Sequence, residues 1–307
     1  MPTRASLRSF NRANIFTTKQ KISGPEMSEN LSPPRLKAPA GMVDTAIHIY
    51  DSKYPIVPTA TFKPPAATVA DYKKVCARVG IARTIVVQPT AYGTDNRCTL
   101  ESIELIGPDR TRGVAVVDPS VSDAELDRLT KAGIRGIRFF MMPGGVLSWD
   151  DVDTLAPRVT AFGWTLNLQL DGRTFPDYED RVKKWPGTLV IDHTGKFLEP
   201  VGVDHPGVKT IQRLLENGRT YLKLAGPYET SKKGPPLYED VGALAKTFVK
   251  TAPERMMWAS NWPMPNPPGG TKPDDAAMLD IMLDWVPDEA TRQKVLVDNA
   301  ARLYGFA

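Results

Sequence analysis

Histidine and cysteine are scarce in this chain, with three of one and two of the other among 307 residues. Cys76 and Cys98 are too few, and too far apart in sequence, for a disulfide framework or a zinc knuckle, so free thiols in a reducing cytoplasm are expected. No apolar run approaches the ~18 residues that a membrane span requires, and a transmembrane protein is excluded. Acid is missing from residues 1–25, which contain Arg4, Arg8, Arg12, Lys19 and Lys21. With those five set aside the formal charge of +4 disappears, and basic and acidic residues nearly balance. What remains has no basic stripe with interleaved aromatics to follow a phosphate backbone, so nucleic acid is not an expected partner. The basic tail also lacks the continuous apolar core of a secretory signal. It is compositionally like a transit peptide, but Met27 offers a second start, and residues 1–40, with the Pro-rich run LSPPRLKAPAG, are expected to be a disordered or extended arm. A homo-oligomer is compatible with this composition and not required by it.

Short β-branched runs then alternate with amphipathic segments. The strand candidates are 42–50, 84–88, 112–117, 136–140, 165–170, 188–192, 220–224 and 255–260. Between them lie VADYKKVCARVG, SDAELDRLTKAG, YEDRVKKW, VKTIQRLLENG and YEDVGALAKTFVK, several of which stop at glycine as helices do. Eight strand-then-helix units in a chain of this size predict an α/β fold, a single (β/α)8 TIM barrel over residues 41–307, with parallel strands inside and helices outside.

Alternation along the strands assigns inward faces. In TLNLQLDG, Asn167, Gln169 and Asp171 share one face and the leucines the other. By the same rule Asp44, Ala46, His48 and Tyr50 share a face of the first strand. Val86 and Gln88 do so on the second, Arg138 and Phe140 on the fourth, Tyr221 and Lys223 on the seventh. Polar groups gathered at the C-terminal ends of barrel strands are what a catalytic mouth requires; a purely structural barrel would carry Val, Ile or Leu there.

His48 ends the first strand and His193 the sixth, while His205 precedes Pro206, where a helix cap is expected. Two imidazoles fall short of the three protein ligands that hydrolytic zinc takes, so neither metal nor other cofactor is expected. A carbonyl is polarised instead by preorganised donors, for which His48, His193, Lys223, Arg138 and Asn261 are the candidates. Arg138 and Lys223 face a barrel that buries bare cations only at high cost, which points to a small-molecule substrate carrying a carboxylate.

The runs LKAPAGMVDTAIHIYD, GIRFFMMPGG, VIDHTGKFLEP, YLKLAGPYETSKKGPP, MMWASNWP and DNAARLYGF resemble the amidohydrolase superfamily, and within it the lactone-processing group that includes galactarolactone isomerase and 2-pyrone-4,6-dicarboxylate lactonase. Members usually open with His-x-His and carry an Asp on strand eight; here those positions are Ala46-Ile47-His48 and Asn261. The resemblance implies metal-independent acyl transfer at a lactone carbonyl. His193 or His48 would take the proton of the attacking hydroxyl, and Asn261 with Lys223 would hold the oxyanion. Arg138 and Arg97 would bind the substrate carboxylate, Gln88, Asn167 and Gln169 would read hydroxyls, and Tyr50 and Tyr228 would complete the substrate contacts. Because Asn261 accepts no proton from water, a hydroxyl of the substrate itself is the expected nucleophile, which makes the enzyme an isomerase. If water enters with Asp171 or a histidine as base, it is a lactonase. The alternatives are a family hydrolase of another cyclic ester, a metal-dependent hydrolase and, from another class, a non-catalytic barrel that binds a sugar acid or dicarboxylate.

Overall fold

The computed structural model describes residues 32–265 and 267–306. Its strands are β1 (Val43–Ile47), β2 (Arg83–Val87), β3 (Thr111–Ala115), β4 (Ile134–Phe140), β5 (Thr165–Gln169), β6 (Leu189–Ile191), β7 (Thr220–Leu224) and β8 (Met256–Trp258). They lie in one sheet in chain order, every neighbouring pair parallel. Helices α1 (Val69–Val79), α2 (Arg97–Ile106), α3 (Asp123–Lys131), α4 (Trp149–Ala161), α5 (Phe175–Lys184), α6 (Pro206–Glu216) and α7 (Glu239–Thr251) provide the crossovers, so the (β/α)8 barrel is present. The last β/α connection continues into α8 (Asp275–Asp280), α9 (Met282–Trp285), α10 (Glu289–Gln293) and α11 (Asn299–Tyr304). No helix among the described residues is long and apolar enough to cross a membrane.

Local signals set the helix ends. Thr68 caps α1 by accepting from the Asp71 amide while Asp71 reaches back to the Thr68 amide, a reciprocal box worth about 1 kcal/mol. Val69, Tyr72, Val75, Cys76 and Val79 form its buried stripe, and Gly80 ends it at φ +88°. A side chain at Gly80 would be strained by that φ, and its Cβ would also lie 2.6 Å from the Cβ of Ala38. Of the expected arm, residues 1–31 lie outside the described residues. Residues 32–40 run against α1 and α8: Arg78 donates to the Ser32 carbonyl, and the Leu36 amide donates to Asp280.

The buried apolar residues form two sets. Leu166 and Leu168 of β5 and Val86 of β2 pack with helix residues such as Tyr72 and Leu126. Val43, Ile85, Val87, Val114, Val190 and Met257 form a second set that draws on none of α1–α7, which marks them as the barrel interior; Ala300, Tyr304 and Phe306 join it from the C-terminus. Replacing a fully buried leucine such as Leu168 by alanine is expected to cost about 2–5 kcal/mol.

Two facing assignments need correction. The register of β1 against β2 shifts between Asp44 and Ile47, and that irregularity breaks the simple alternation. Asp44 therefore does not share the inner face of Ala46 and His48. Its carboxylate accepts from Tyr72 of α1 (3.1 Å) and from the amide and hydroxyl of Ser260 (3.0 and 2.5 Å), which ties β1 to the chain leaving β8. On β2 it is Ile85 and Val87, not Val86, that face inward. The seam between β8 and β1 is closed beyond β8 by the amides of Asn261 and His48, which donate to the carbonyls of Ala46 (3.0 Å) and Trp262 (2.7 Å).

Candidate active site

A cleft of about 270 Å³ opens at the C-terminal ends of the strands, where a parallel barrel leaves its connecting loops. His48 and Tyr50 enter from the chain after β1, Arg138 and Phe140 from β4, and Gln169 from β5. His193 and Lys196 follow β6, Glu229 follows β7 and Asn261 follows β8. Thr61, Phe62, Met142 and Pro143 bring loops after β1 and β4 to the same cleft.

The protonation state of His48 follows from its neighbours. Its Nδ1 lies 2.8 Å from the Val87 carbonyl oxygen, which can only accept, so the ring proton sits on Nδ1 and Nε2 keeps its lone pair. Burial, helped by the charge of Arg138, pushes its pKa down to about 3, and the ring is neutral at neutral pH. Burial and the Lys196 charge bring His193 to about 3 as well. Its Nε2 is 3.5 Å from Glu229, and its buried Nδ1 has no hydrogen-bond partner.

His193 sits in a left-handed run, with φ of 52° at His193 and Thr194, 83° at Gly195 and 49° at Lys196. Three non-glycine residues there store strain, which the surroundings must hold in place. The Thr194 hydroxyl donates to the Ala225 carbonyl and accepts from the Ala225 amide, both at 3.2 Å, and the Gly172 amide donates to the Lys196 carbonyl. Gly226 makes room for the ring: a Cβ there would lie 2.6 Å from His193 Cδ2.

Arg138 is buried, and burial lowers its guanidinium below the usual range. It donates to the Gln88 carbonyl (3.0 Å) and to Gln169 Oε1 (3.2 Å), and its Nε is buried with no partner. Among the described residues no carboxylate forms an ion pair with it, in contrast to Lys196, which pairs with Glu229, and Lys223, which pairs with Asp192 at 2.9 Å. A cation in this state is stabilised when an anion arrives. Glu229 is the most heavily engaged carboxylate in the cleft. Besides Lys196 it accepts from Asn261 Nδ2 (2.8 Å) and from the Tyr228 hydroxyl (3.4 Å).

Several expected site residues stand elsewhere or act differently. Asn261, at φ 57°, donates both amide hydrogens, to the Tyr228 hydroxyl (2.7 Å) and to Glu229, and keeps a buried Oδ1 without a partner. It presents an acceptor, where oxyanion stabilisation needs a donor. Lys223 is fully buried inside the barrel, bound to Asp192 and to Asn167 Oδ1 (3.1 Å). Burial is the largest single influence and would raise the Asp192 carboxyl, but the charge and hydrogen bond of Lys223, with His193 and Arg138 nearby, together outweigh it and hold the carboxyl below its usual range. Asn167 also donates to the Ile137 carbonyl, so Asn167 and Lys223 belong to the barrel interior and not to the cleft wall. The Gln88 amide is committed to the Gly93 and Asp95 carbonyls and to Thr99 of α2, because the chain turns at the end of β2 and the alternation stops there. Arg97 is exposed and paired with Asp95 at 2.6 Å. Asp171 caps the turn after β5 and pairs with Arg173 at 2.5 Å, outside the cleft. His48, His193, Asn261, Arg138, Gln169 and Tyr50 do converge, with Tyr228 against Asn261. His205 caps α6 by accepting from the Gly207 amide.

Lys196 and Glu229 escaped the reading of the sequence. Both lie on turns where no periodicity applies; the available signals were the three-residue spacing from His193 in HTGK and the neighbour relation to Tyr228.

The donor set does not suit a divalent metal. Ala46, where the superfamily pattern has an imidazole, is packed in the apolar set with Ala225 and Ala259. Asn261 offers a single carbonyl oxygen, and the acids nearby, Glu229 and Asp192, are neutralised by lysines. Among the described residues no group of three or more His, Cys, Asp or Glu side chains is arranged to hold a metal ion.

Comparison with known proteins places this geometry. The family model described as Amidohydrolase matches residues 30–306. The chain is 34% identical to the D-galactarolactone isomerase of Agrobacterium fabrum over 269 residues, covering 87% of this chain and 91% of that one. It is 33% identical over 287 residues to a 2-pyrone-4,6-dicarboxylate hydrolase of Comamonas testosteroni, covering 90% and 93%. The crystal structure of an Agrobacterium tumefaciens protein in its apo form superposes with a TM-score of 0.83 at 33% identity, covering 89% of this chain and 99% of that one.

Proposed function

The chain belongs to the amidohydrolase family, and from that premise we propose that it catalyses metal-independent acyl transfer at the ring carbonyl of a lactone that carries a carboxylate. The observation that carries this reading is Arg138, a buried guanidinium with an unpartnered Nε and no ion pair among the described residues, at the wall of the cleft. A substrate carboxylate docked there gives the charge its missing partner and fixes the ring across the mouth. The lone pair on His48 Nε2 and the orphan Oδ1 of Asn261 are acceptors, suited to orienting the attacking hydroxyl. Gln169, Tyr50 and Thr61 are left to read the remaining polar groups of the ring.

Between the two lactone chemistries, ring interchange is favoured. Asn261 is a neutral amide with its hydrogens committed, and Asp171 is turned away and paired with Arg173, so neither serves as a base for water. A hydroxyl within the substrate needs less activation, because its effective concentration at the carbonyl is already high. The two buried free thiols, Cys76 and Cys98, fit a reducing compartment, and a cytoplasmic location is part of the proposal.

NMR of aldaric lactones and pyrone dicarboxylates incubated with the protein tests the reading. Rearranged rings support the isomerase, steady release of the open acid supports a lactonase, and ligand binding without turnover of any lactone refutes catalysis in favour of a binding barrel. Stoichiometric metal lost together with activity on chelation refutes metal independence.

A further inference from the structure

We propose that Glu229 and Lys196 form the proton-transfer pair of this site: Glu229 takes the proton of the attacking hydroxyl, and Lys196 gives one to the departing ring oxygen. The proposal rests on the lactone reading above and assigns the step which that reading leaves open, namely where protons go in a site whose strand-eight acid is an amide.

Both groups line the cleft, on turns after adjacent strands, and their charged ends are in contact. Glu229 is held from several sides, by Asn261 Nδ2 at 2.8 Å, the Tyr228 hydroxyl at 3.4 Å and His193 Nε2 at 3.5 Å, yet its side chain keeps 21% exposure to the cleft. That combination of fixed orientation and access suits a base that acts on substrate. The imidazoles are poorer choices, because protonating His48 or His193 adds positive charge beside Arg138 and Lys196, and both rings are already held neutral. Burial and the Arg138 charge push the Lys196 ammonium down from the ordinary lysine range, while Asp192 and the contact with Glu229 oppose that shift.

The step balances within the pair. As the attacking oxygen bonds to the carbonyl carbon, its proton passes to Glu229. As the bond from the acyl carbon to the ring oxygen breaks, that oxygen takes the Lys196 proton. A neutral acid then touches a neutral amine, and transfer of the proton from Glu229 to Lys196 restores the ion pair. The net charge of the site is unchanged at the end of each cycle, and no solvent proton is consumed, as ring interchange requires.

The test uses the full-length protein with galactarolactone and 2-pyrone-4,6-dicarboxylate as probes, and compares wild type with Glu229→Gln, Lys196→Arg and the double variant. Arginine keeps the charge pairing but does not release its proton, so a structural ion pair would tolerate Lys196→Arg and an acid would not. We expect each single variant to lower kcat at least 100-fold with KM within threefold, the double variant to be no worse than the poorer single, and the wild-type rate to fall at alkaline pH as Lys196 loses its proton, a limb that Lys196→Arg should lack. Should Glu229→Gln fail to fold, Lys196→Arg carries the test alone. Wild-type turnover with Lys196→Arg retaining kcat within threefold overturns the proton pair and leaves the lactone reading standing. Wild type inert on both probes and on the wider lactone panel overturns the lactone reading, and the pair with it.

Discussion

Replacing Arg138 by methionine separates binding from folding in a way that few substitutions do. The side chain is buried, its two terminal nitrogens reach only neutral oxygens, and its Nε reaches nothing. In the free protein it contributes two hydrogen bonds, against which stands the cost of burying an unpaired charge. Losing the bonds to the Gln88 carbonyl and Gln169 costs about 1–3 kcal/mol, and removing the buried charge returns a similar amount. The unfolding midpoint of Arg138→Met without ligand is therefore expected to stay close to wild type or to rise. Binding behaves otherwise. A hydrogen bond from a charged group is worth ~1.5–3 kcal/mol, so the loss of one carboxylate contact raises KM about 10- to 150-fold. Because the carboxylate is held alike in ground and transition states, kcat should change little. The assay pairs each lactone acid with its methyl ester. Wild type should discriminate between them by the same factor, and Arg138→Met should lose the discrimination along with ligand-induced thermal stabilisation. A variant that still prefers the acid, or that unfolds several kcal/mol more easily without ligand, would show that the charge is structural and refute the reasoning.

Further outcomes follow from other parts of the molecule. Asp44 is raised to about 6 by burial, which outweighs its hydrogen bonds to Ser260 and Tyr72. Its native state holds a proton that the unfolded chain has lost, so this group adds stability as pH falls from 6 towards 4. His48 and His193, both lowered to about 3, act oppositely and remove about 1.4 kcal/mol each per pH unit below about 6.5. Denaturant titrations from pH 7.5 to 4.5 should show a net loss, and Asp44→Asn should make that loss steeper; an unchanged slope would count against the buried acid. Gly226→Ala drives a Cβ to within 2.6 Å of His193 at φ +63°, and should lower kcat/KM more than tenfold, read by steady-state kinetics. Thr194→Val loses the double link to Ala225 and should destabilise by about 1–3 kcal/mol in denaturant melts, with Thr194→Ser recovering most of it.

The barrel was legible in the sequence because strand burial needs β-branched runs at regular spacing, and that spacing is a local property of the chain. Alternation also turns Arg138 and Gln169 towards the cleft that they line, since β4 and β5 pair without interruption to their ends, whereas His193 stands beyond β6 in a left-handed turn where no period applies. Alternation failed at Asp44, where an irregularity in β1 changes which way the side chain points, and at Gln88 and Asp171, which stand just past strand ends where the period no longer holds. Arg97 looked like a carboxylate clamp only while its neighbour Asp95 was not seen to occupy it. Lys196 and Glu229 could not be found by any period, because they meet only through the closure of separate turns.

The seam between the last strand and the first gives the site an unusual vulnerability. The amide of His48 holds the carbonyl of Trp262, and the amide of Asn261 holds that of Ala46, so two residues of the cleft also fasten the ring of strands shut. Breathing of the fold at this joint and disassembly of the catalytic groups are then one event. Deuterium uptake at those two amides should keep pace with inactivation on warming, even while the remaining hydrogen-bond ladder stays protected.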